Sequence, residues 1–449
     1  MIYIHFPFCK SFCTYCDFYS VREKDRIAQY TQSLLREISL RKAFLCRCFE
    51  PATLYVGGGT PSLWPVEQLG EAVAAVSAAL REGAADYGRS CGAPGGGGGA
   101  VPGTWDGRGD AGIFAEFTVE VNPDDVTEAY ARALRRLGVN RVSMGVQSFS
   151  DRSLRWMARR HSPEGAVEAF RVLRSAGFDN ISLDLIFGYD SVAWGSGSSS
   201  DEELMQLWSD DLDAVLRLRP EHISAYQMGI EEGSVLGEMA AAGRYREPSD
   251  ELCAAQYALL QQRLASAGYL QYEVSNFSLP GRRALHNSGY WNRSPYIGLG
   301  PGAHSFDGGR CRWWNAPDLD RYIAAFGGGD ASGAAPACRD CTVPSVSSEE
   351  NLTDEDIFTE TVMLGLRTVD GLLLDVLVAM CRPSSSTVPD SRPGAAENSC
   401  QSLLSQLPHP LRTSVDRLLA TGSLILRDDR LFIPPSRLFI SDSIIRELL

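Results

Sequence analysis

The sequence lacks any apolar run of the roughly 18 residues that a membrane-spanning helix requires. It also lacks an excess of basic residues, because acidic side chains outnumber basic ones by 56 to 42 and the formal net charge is -14. Nucleic acids are bound chiefly through basic surfaces, so this balance argues against a nucleic-acid partner. The first residues show no signal-peptide pattern. We expect a cytoplasmic protein, or an organelle-matrix protein (mitochondrion or plastid) if further residues precede Met1.

Cysteine is too sparse for a disulfide scaffold, with 12 in 449 residues. Three of them nevertheless fall together, as Cys9, Cys13 and Cys16 in the spacing C-x3-C-x2-C. Thiolates suit iron–sulfur chemistry, and three on one loop can hold three corners of a cuboidal cluster. A fourth cysteine is missing, which leaves one iron open to a ligand that is not protein. Zinc ligation, a disulfide and simple burial are the alternatives; zinc sites usually need a second pair of ligands, and none is obvious nearby.

Strand and helix patterns alternate along the first half of the chain. Apolar runs predict six strands, at 2–6, 53–56, 117–121, 141–147, 180–187 and 222–228. Helical patterns between them make every connection long enough for a parallel crossover. The sequence therefore predicts an α/β protein with a partial (β/α)6 TIM-like barrel. In such sheets the reacting residues lie at the carboxyl ends of the strands.

Composition divides the chain into a larger barrel and smaller parts. A run of five glycines near residue 95 lacks the lysine and the spacing of a phosphate-binding loop, so it indicates a mobile insert. We predict a barrel over 1–230 with inserts near 88–112 and 191–200, an extension over 231–326, a flexible insert over 327–348, and a smaller α+β domain over 349–449. The C-x2-C pair at 338–341 lies in a polar insert, where coincidence is the simpler explanation.

Polar residues mark the carboxyl ends of the predicted strands. Any one of them alone is most simply a satisfied buried polar group. Their shared position at one end of the sheet predicts a common site. Beside the three cysteines after the first strand, the set comprises Gly58, Gly59 and Thr60, then Glu120, Gln147, Arg159, Asp184, Tyr226 and Gln227.

These segments together resemble the radical S-adenosylmethionine (SAM) proteins. The resemblance rests on the cysteine loop, on GGGTP after the second strand, and on EVNPDD, SMGVQSF and LDLIFG around Glu120, Gln147 and Asp184. It implies that Cys9, Cys13 and Cys16 bind three irons of a [4Fe–4S] cluster, while SAM binds the fourth. Reduction of the cluster would then cleave SAM to a 5′-deoxyadenosyl radical.

The resemblance also implies a SAM pocket. Residues 58–60 are expected to receive the methionine end through their backbone N–H groups, since glycine lets the backbone approach closely. The carboxylates are expected to accept hydrogen bonds from hydroxyl or ammonium groups. The implied pocket residues are Tyr3, Gly58, Gly59, Thr60, Glu120, Gln147, Arg159, Asp184 and Gln227.

Within this family the sequence is similar to the oxygen-independent coproporphyrinogen III oxidases and their relatives. The oxidases carry a further cysteine two residues past the third, where this sequence has Phe18. Residues 286–291 read HNSGYW, an HNxxYW pattern. Both features resemble the HemW-type heme chaperones. This resemblance implies heme as a cofactor, with His286 as candidate axial ligand and Tyr290 and Trp291 as aromatic surface.

Several alternatives stay open at this point. His286 in an ordinary hydrogen-bonded setting is one, and His304 is a second candidate iron ligand. The expected partners are heme and apo-hemoprotein acceptors, including respiratory membrane proteins. Residues 349–449 are similar to the winged-helix-like (HemN-like) C-terminal domain of the family, and the negative charge argues against DNA binding there. The function expected is that of a heme chaperone and not an active oxidase; the oxidase itself and a degenerate barrel that scaffolds other proteins are the alternatives.

Overall fold

The structure is a computed structural model that describes residues 1–45, 52–90, 113–191, 198–327, 347–381 and 400–449. The predicted inserts near 88–112, 191–200 and 327–348 fall largely outside the described residues, as does the C-x2-C pair at 338–341. The strands are β1 (Ile2–Phe6), β2 (Thr53–Gly58), β3 (Glu116–Val121), β4 (Arg141–Gln147), β5 (Ile181–Phe187), β6 (His222–Gln227), β7 (Leu270–Gln271), β8 (Asn276–Ser278), β9 (Ile297–Leu299), β10 (His304–Phe306), β11 (Cys311–Asn315), β12 (Ser347–Asn351), β13 (Leu372–Leu373), β14 (Ile425–Arg427) and β15 (Arg430–Phe432).

Helices connect most of these strands. They are α1 (Ile27–Leu40), α2 (Lys42–Leu45), α3 (Val66–Ser90), α4 (Glu128–Arg136), α5 (Asp151–Trp156), α6 (Pro163–Ser175), α7 (Asp201–Leu218), α8 (Val235–Ala241), α9 (Asp250–Ser266), α10 (Leu285–Trp291), α11 (Leu319–Phe326), α12 (Asp354–Leu366), α13 (Leu374–Met380), α14 (Cys400–Leu404), α15 (His409–Ala420) and α16 (Ser441–Arg446). Among the described residues no helix is both long and apolar enough to cross a membrane.

The largest sheet contains β1 to β6 side by side in chain order, and each neighbouring pair is parallel. This confirms the predicted α/β class and the partial barrel built from six parallel units. Three short strands extend the sheet beyond the six: β9 pairs parallel with β1, while β8 and β7 add antiparallel beyond β6. The segment predicted as an extension over 231–326 therefore contributes strands to both edges of the barrel sheet.

The strand register aligns the carboxyl ends. Phe6 pairs with Gly58 across β1 and β2, and Phe187 pairs with Gln227 across β5 and β6. The loops that leave these ends consequently meet at one edge of the sheet. Apolar residues of β1 to β6 are buried against the flanking helices in one continuous core, which fixes this register because a one-residue slip would turn every core side chain outward.

A buried polar network ties α1 to distant parts of the chain. The carboxylate of Glu37, with a side chain 0% exposed, accepts hydrogen bonds from Arg41 Nε (2.7 Å), Asn315 Nδ2 (2.8 Å), the Tyr322 hydroxyl (2.7 Å) and Gly300 N (2.8 Å). The network thus links α1, β11 and α11 through one ionised pair. A buried pair of this kind is tolerated because its hydrogen-bonding capacity is filled.

The C-terminal part combines helices α12 to α16 with a three-stranded antiparallel sheet in the order β13, β15, β14. α15 ends at Ala420, and Gly422 just beyond it is in the left-handed region at φ +68°, as is common after a helix. Serine favours the N-cap position, but Ser441 does not cap the last helix. A 3-10 turn over Pro435–Ile440 runs directly into α16, so Ser441 is already helical and no side chain caps the first turn.

Candidate functional site

The cysteine loop (residues 9–16) follows β1 and is anchored to three separate parts of the chain. Its first amide donates to Val21 O (2.8 Å). The Thr14 amide donates to Met157 O (3.2 Å), and the Thr14 carbonyl accepts from Leu236 N (2.8 Å). The loop is therefore held on both sides by the segments that surround it, and the three thiols keep a fixed relation to the barrel.

All three loop cysteines are free thiols, so the disulfide alternative fails within this loop. Burial raises the pKa of the Cys9 thiol and raises that of Cys16 to about 11. The Arg159 guanidinium donates from Nη1 to Cys13 Sγ (3.5 Å). Buried thiols become thiolates when they ligate a metal, and a nearby guanidinium supports the negative charge that results.

The glycines after β2 are required by close packing. Gly58 has φ +112°, and a Cβ there would lie 2.7 Å from the His5 ring. A Cβ on Gly59 would lie 2.8 Å from Phe8 O and 3.1 Å from Cys9 Sγ. Any larger residue would press on the cysteine loop, so these glycines set the distance between the loop and the end of β2.

The backbone amides of residues 58–60 are already used inside the protein. In chain order they donate to Glu120 Oε2 (3.2 Å), Phe6 O (2.8 Å) and Phe8 O (2.9 Å). These hydrogen bonds hold the turn against β1 and β3. The expected contact of the same amides with the methionine end of SAM stays a prediction.

Two carboxylates occupy the interior of the barrel. The Tyr55 hydroxyl donates to Glu120 Oε1 (2.7 Å), and Ser143 Oγ lies within 3.2 Å of both Asp184 oxygens. Burial raises the pKa of Asp184 and raises that of Glu120 to about 7. Both carboxyl groups are therefore protonated more easily than in water, and a cation beside them would favour their charged form.

Arg141 faces the same interior with no described partner. Arg141 is 1% exposed, and no carboxylate of the described residues lies within ion-pair distance of its guanidinium. Its Nε atom has no hydrogen-bond acceptor. The positive charge of Arg141 lowers the pKa of both Glu120 and Asp184, in opposition to their burial. Arg141, Ser143 and Tyr55 are site residues that were not predicted from the sequence. The signal for the first two was the two-residue period of β4, which turns residues 141, 143, 145 and 147 to one face.

The end of β4 is distorted where it approaches the cysteine loop. Gln147 has φ +70°, which is rare for a residue other than glycine, and the pairing of β4 with β5 shifts register there. A Cβ on Gly145 would lie 3.0 Å from Gln147 Nε2 and 3.1 Å from Arg159 Nη2. The bulge thus brings Gln147 and Arg159 together beside Cys13.

These groups line one cavity of about 770 Å³, here called the strand-end cavity. Its walls include all three cysteines, residues 58–60, Glu120, Arg141, Gln147, Arg159, Asp184 and Gln227. Of the predicted SAM residues, Tyr3 is the exception, because it does not line this cavity and its hydroxyl lies 3.1 Å from His5 Nδ1. The role of each residue toward SAM stays a prediction.

A second cavity of about 490 Å³, here called the junction cavity, lies where the edge of the barrel meets the C-terminal part. It shares Tyr226, Gln227 and Asn287 with the strand-end cavity. Tyr290 and Trp291 of the HNxxYW segment line it. The structure thus places the aromatic residues of that segment next to the strand-end cavity, as a shared site requires.

His286 does not reach either cavity. His286 is 1% exposed and lines neither cavity. Its Nδ1 atom lies 2.9 Å from Thr53 Oγ1, and its Nε2 atom lies 3.0 Å from the Tyr290 hydroxyl. Burial lowers the pKa of His286 to about 3, so the ring is neutral. Both ring nitrogens are occupied in this conformation, and iron ligation would require the ring to leave one of these partners. His304 stacks on Trp314 and lines neither cavity.

Both the sequence and the fold of the chain are similar to those of known proteins. The family model of the Radical SAM superfamily matches residues 3–194. A heme chaperone HemW from Mycobacterium tuberculosis is 30% identical over 452 aligned residues, which span 100% of this chain and 94% of that protein. The chain belongs to the HemW family. A HemW from Escherichia coli is 33% identical over 68% of this chain and 69% of its own length.

The fold of the HemW-family chain is that of a solved relative. Coproporphyrinogen III oxidase (HemN) from Escherichia coli, a radical SAM enzyme, aligns with a TM-score of 0.67 over 100% of this chain and 89% of its own. The sequence identity is 18%, so this likeness shows the fold alone. It accounts for the partial barrel and for the C-terminal part that packs beside it.

Membership of the radical SAM superfamily implies a [4Fe–4S] cluster and SAM, and the residues of this HemW-family chain fit both. Three free thiols on one anchored loop face a cavity that also holds two carboxylates. The buried Nε atoms of Arg141 and Arg159 face the same cavity without acceptors. Within the described ranges, no three histidine, cysteine, aspartate or glutamate side chains gather to hold a single metal ion.

Proposed function

We propose that this HemW-family protein binds heme and delivers it to apo-hemoproteins. Support comes from the name heme chaperone that its relatives carry, one of them aligned over the full chain. The observation that carries the proposal is the placement of Tyr290 and Trp291 on an aromatic cavity that opens beside the strand-end cavity. An aromatic wall suits a flat macrocycle. We place the activity in the cytoplasm, or in an organelle matrix, with hemoproteins of respiratory membranes among the candidate acceptors.

The cluster and SAM would occupy the strand-end cavity. Cys9, Cys13 and Cys16 would hold three irons, and the bound cluster supplies the electron for reductive SAM chemistry. Arg159 offsets part of the thiolate charge through its contact with Cys13. Glu120 and Asp184 offer oxygens to the cationic and hydroxyl groups of SAM.

Heme binding is tested by titrating hemin into the anaerobically reconstituted protein and recording the Soret band. A saturable spectral change at about one heme per protein is expected, and absence of saturation would end the proposal. Transfer is tested by mixing the loaded protein with apo-myoglobin and following the holo-myoglobin spectrum. Apo-myoglobin alone with the same amount of free hemin gives the rate that transfer must be compared with.

The alternative function is oxidation of coproporphyrinogen III, in which two propionates become vinyl groups. The fold of HemN favours it, while Phe18 stands where the oxidases carry a further cysteine. Phe18 is 66% exposed at the mouth of the strand-end cavity and offers no sulfur to it. Anaerobic incubation with coproporphyrinogen III, SAM and a reductant should give no protoporphyrinogen. Its formation would replace the chaperone proposal by the oxidase.

A further inference from the structure

The junction cavity has no occupant in the chemistry described so far. The cluster and SAM account for the strand-end cavity, whose walls carry the cysteines and the interior carboxylates. The junction cavity, of about 490 Å³, lies within the ~300–1,000 Å³ range of small-molecule sites. Because Tyr226, Gln227 and Asn287 belong to both walls, a molecule in one cavity touches the same side chains as a molecule in the other.

Aromatic side chains form part of the wall of the junction cavity. Six rings line it: Phe187, Tyr226, Tyr257, Tyr290, Trp291 and Phe439. Its described lining contains no histidine, cysteine or methionine. Tyrosine can also ligate heme iron, but burial raises the pKa of Tyr226, Tyr257 and Tyr290 and so disfavours the phenolate form that ligation needs. The cavity therefore suits a ligand recognised by a flat face and not by a metal ion at its centre.

Three residues that line the junction cavity each carry a buried polar atom without a hydrogen-bond partner. The atoms are Arg367 Nε, Asn276 Oδ1 and Glu273 Oε1. Unpartnered buried polar atoms are costly, so a cavity that collects three of them indicates a polar ligand group. Burial raises the pKa of the Glu273 carboxyl, which weakens its negative charge against an incoming anion.

Arg367 is poised to exchange one carboxylate for another. Its guanidinium is paired with Asp442, whose side chain is 65% exposed while that of Arg367 is 27% exposed. The exposed aspartate can return to water at little cost. A ligand carboxylate that reaches Arg367 from inside the cavity would gain the same charge-assisted bond in a drier setting.

We propose that the junction cavity binds the propionate-bearing edge of the heme macrocycle, with Arg367 as the carboxylate receptor and the aromatic walls against the ring. This assignment rests on the proposed function and deepens it. The bound heme needs no axial ligand from this cavity, so recognition extends to the porphyrin without iron. Asp442 also lines the cavity, where it competes with the ligand carboxylate for Arg367.

The cavity exists only where the C-terminal part is docked on the barrel. Arg367 and Phe439 come from the C-terminal part, whereas Tyr226 and Glu273 come from the edge of the barrel. The rings of Tyr257 and Phe439 lie 5.2 Å apart across this junction. A macrocycle bound here would touch both parts, so its binding should raise the melting temperature of the junction along with that of the barrel.

Substitutions of the two paired residues should affect hemin binding differently. Arg367→Met should weaken hemin binding by about tenfold or more, since it removes a charge-assisted bond. Asp442→Asn should leave hemin binding equal or make it tighter, because it removes the competitor. Arg283→Met is the matched control: it breaks an arginine–aspartate pair with Asp370 that also joins the two parts but does not line the cavity. Circular dichroism and melting temperatures check that all three fold.

Probe molecules test the same assignment in the wild-type protein. Metal-free protoporphyrin IX should quench tryptophan fluorescence with an affinity within about tenfold of hemin, and its dimethyl ester should bind at least about tenfold more weakly. Equal affinity of acid and ester, or equal weakening by Arg367→Met and Asp442→Asn, would overturn the assignment while heme binding stands. If hemin does not bind the wild type at all, the proposed function itself fails.

Discussion

Replacing Glu120 by glutamine should remove most of the pH dependence that the protein contributes to SAM binding. Glu120 lines the strand-end cavity, where burial raises the pKa of its carboxyl to about 7. SAM carries a positive sulfonium group, so it favours the ionised carboxylate over the protonated one. Lowering the pH through 7 protonates Glu120 in the free protein and should therefore weaken SAM binding.

The size of the effect follows from the pKa. With a pKa of about 7, about nine-tenths of Glu120 is ionised at pH 8 and about one-tenth at pH 6, so the apparent Kd for SAM should rise about tenfold between these values. The α-amino group of SAM also titrates, with a pKa of about 8, but it does so equally for wild type and variant. The ratio of Kd at pH 6 to Kd at pH 8 should thus be about tenfold larger for wild type than for Glu120→Gln.

Isothermal titration calorimetry of the anaerobically reconstituted protein measures this ratio, with reductant omitted so that SAM stays intact. Asp211→Asn is the matched control. Burial raises the pKa of Asp211 to about 7 as well, but Asp211 accepts from Ser148 and from the Phe149 amide and does not line the cavity. The reasoning is refuted if Glu120→Gln keeps the wild-type ratio within about twofold, or if Asp211→Asn lowers it to the same extent.

Three further changes test the site and the fold. Glu37→Leu should lower the free energy of unfolding by about 3–5 kcal/mol because it removes the carboxylate partner of a buried arginine. Glu128→Ala, which breaks an exposed helical pair, should leave the free energy of unfolding measured by chemical denaturation almost unchanged. Cys13→Ala should abolish iron and sulfide uptake on anaerobic reconstitution; wild-type iron content would show that the loop is not the cluster site. Gly59→Ala should reduce iron uptake because its Cβ would lie 3.1 Å from the sulfur of the first cluster cysteine, while Gly165→Ala, with its nearest neighbour at 3.6 Å, should take up iron as the wild type does.

The six parallel strands could be predicted because each is an apolar run with helical patterns on both sides. β1 and β4 match their predicted bounds to the residue. β7, β8 and β9 could not be predicted, because they are two or three residues long and show no periodicity. Their pairing depends on distant partners, as in the register of Ile297 against Ile2. Such strands form because an open sheet edge is available, and no local signal encodes it.

The residues of the candidate site likewise include some that the sequence predicts and some that it does not. The strand-end residues were predicted because the carboxyl ends of parallel strands meet at one edge. The deeper residue Arg141 was missed because it lies at the start of its strand and enters the site only through a long side chain turned inward. His286 illustrates the reverse case: its residue type indicates a ligand, but tertiary packing gives both ring nitrogens partners that the sequence does not reveal.

Helix α10 has one face on the barrel and another on the junction cavity. His286 and Gly289 face inward, where Gly289 is so close to Met1 that a Cβ there would lie 2.1 Å from its sulfur. Tyr290 and Trp291, on the same seven-residue helix, line the cavity. A substitution at His286 would remove its hydrogen bond to the Tyr290 hydroxyl and so disturb the wall of the cavity. A loss of heme affinity would therefore not by itself identify His286 as the axial ligand, whereas the spin state of the bound iron would report on ligation directly.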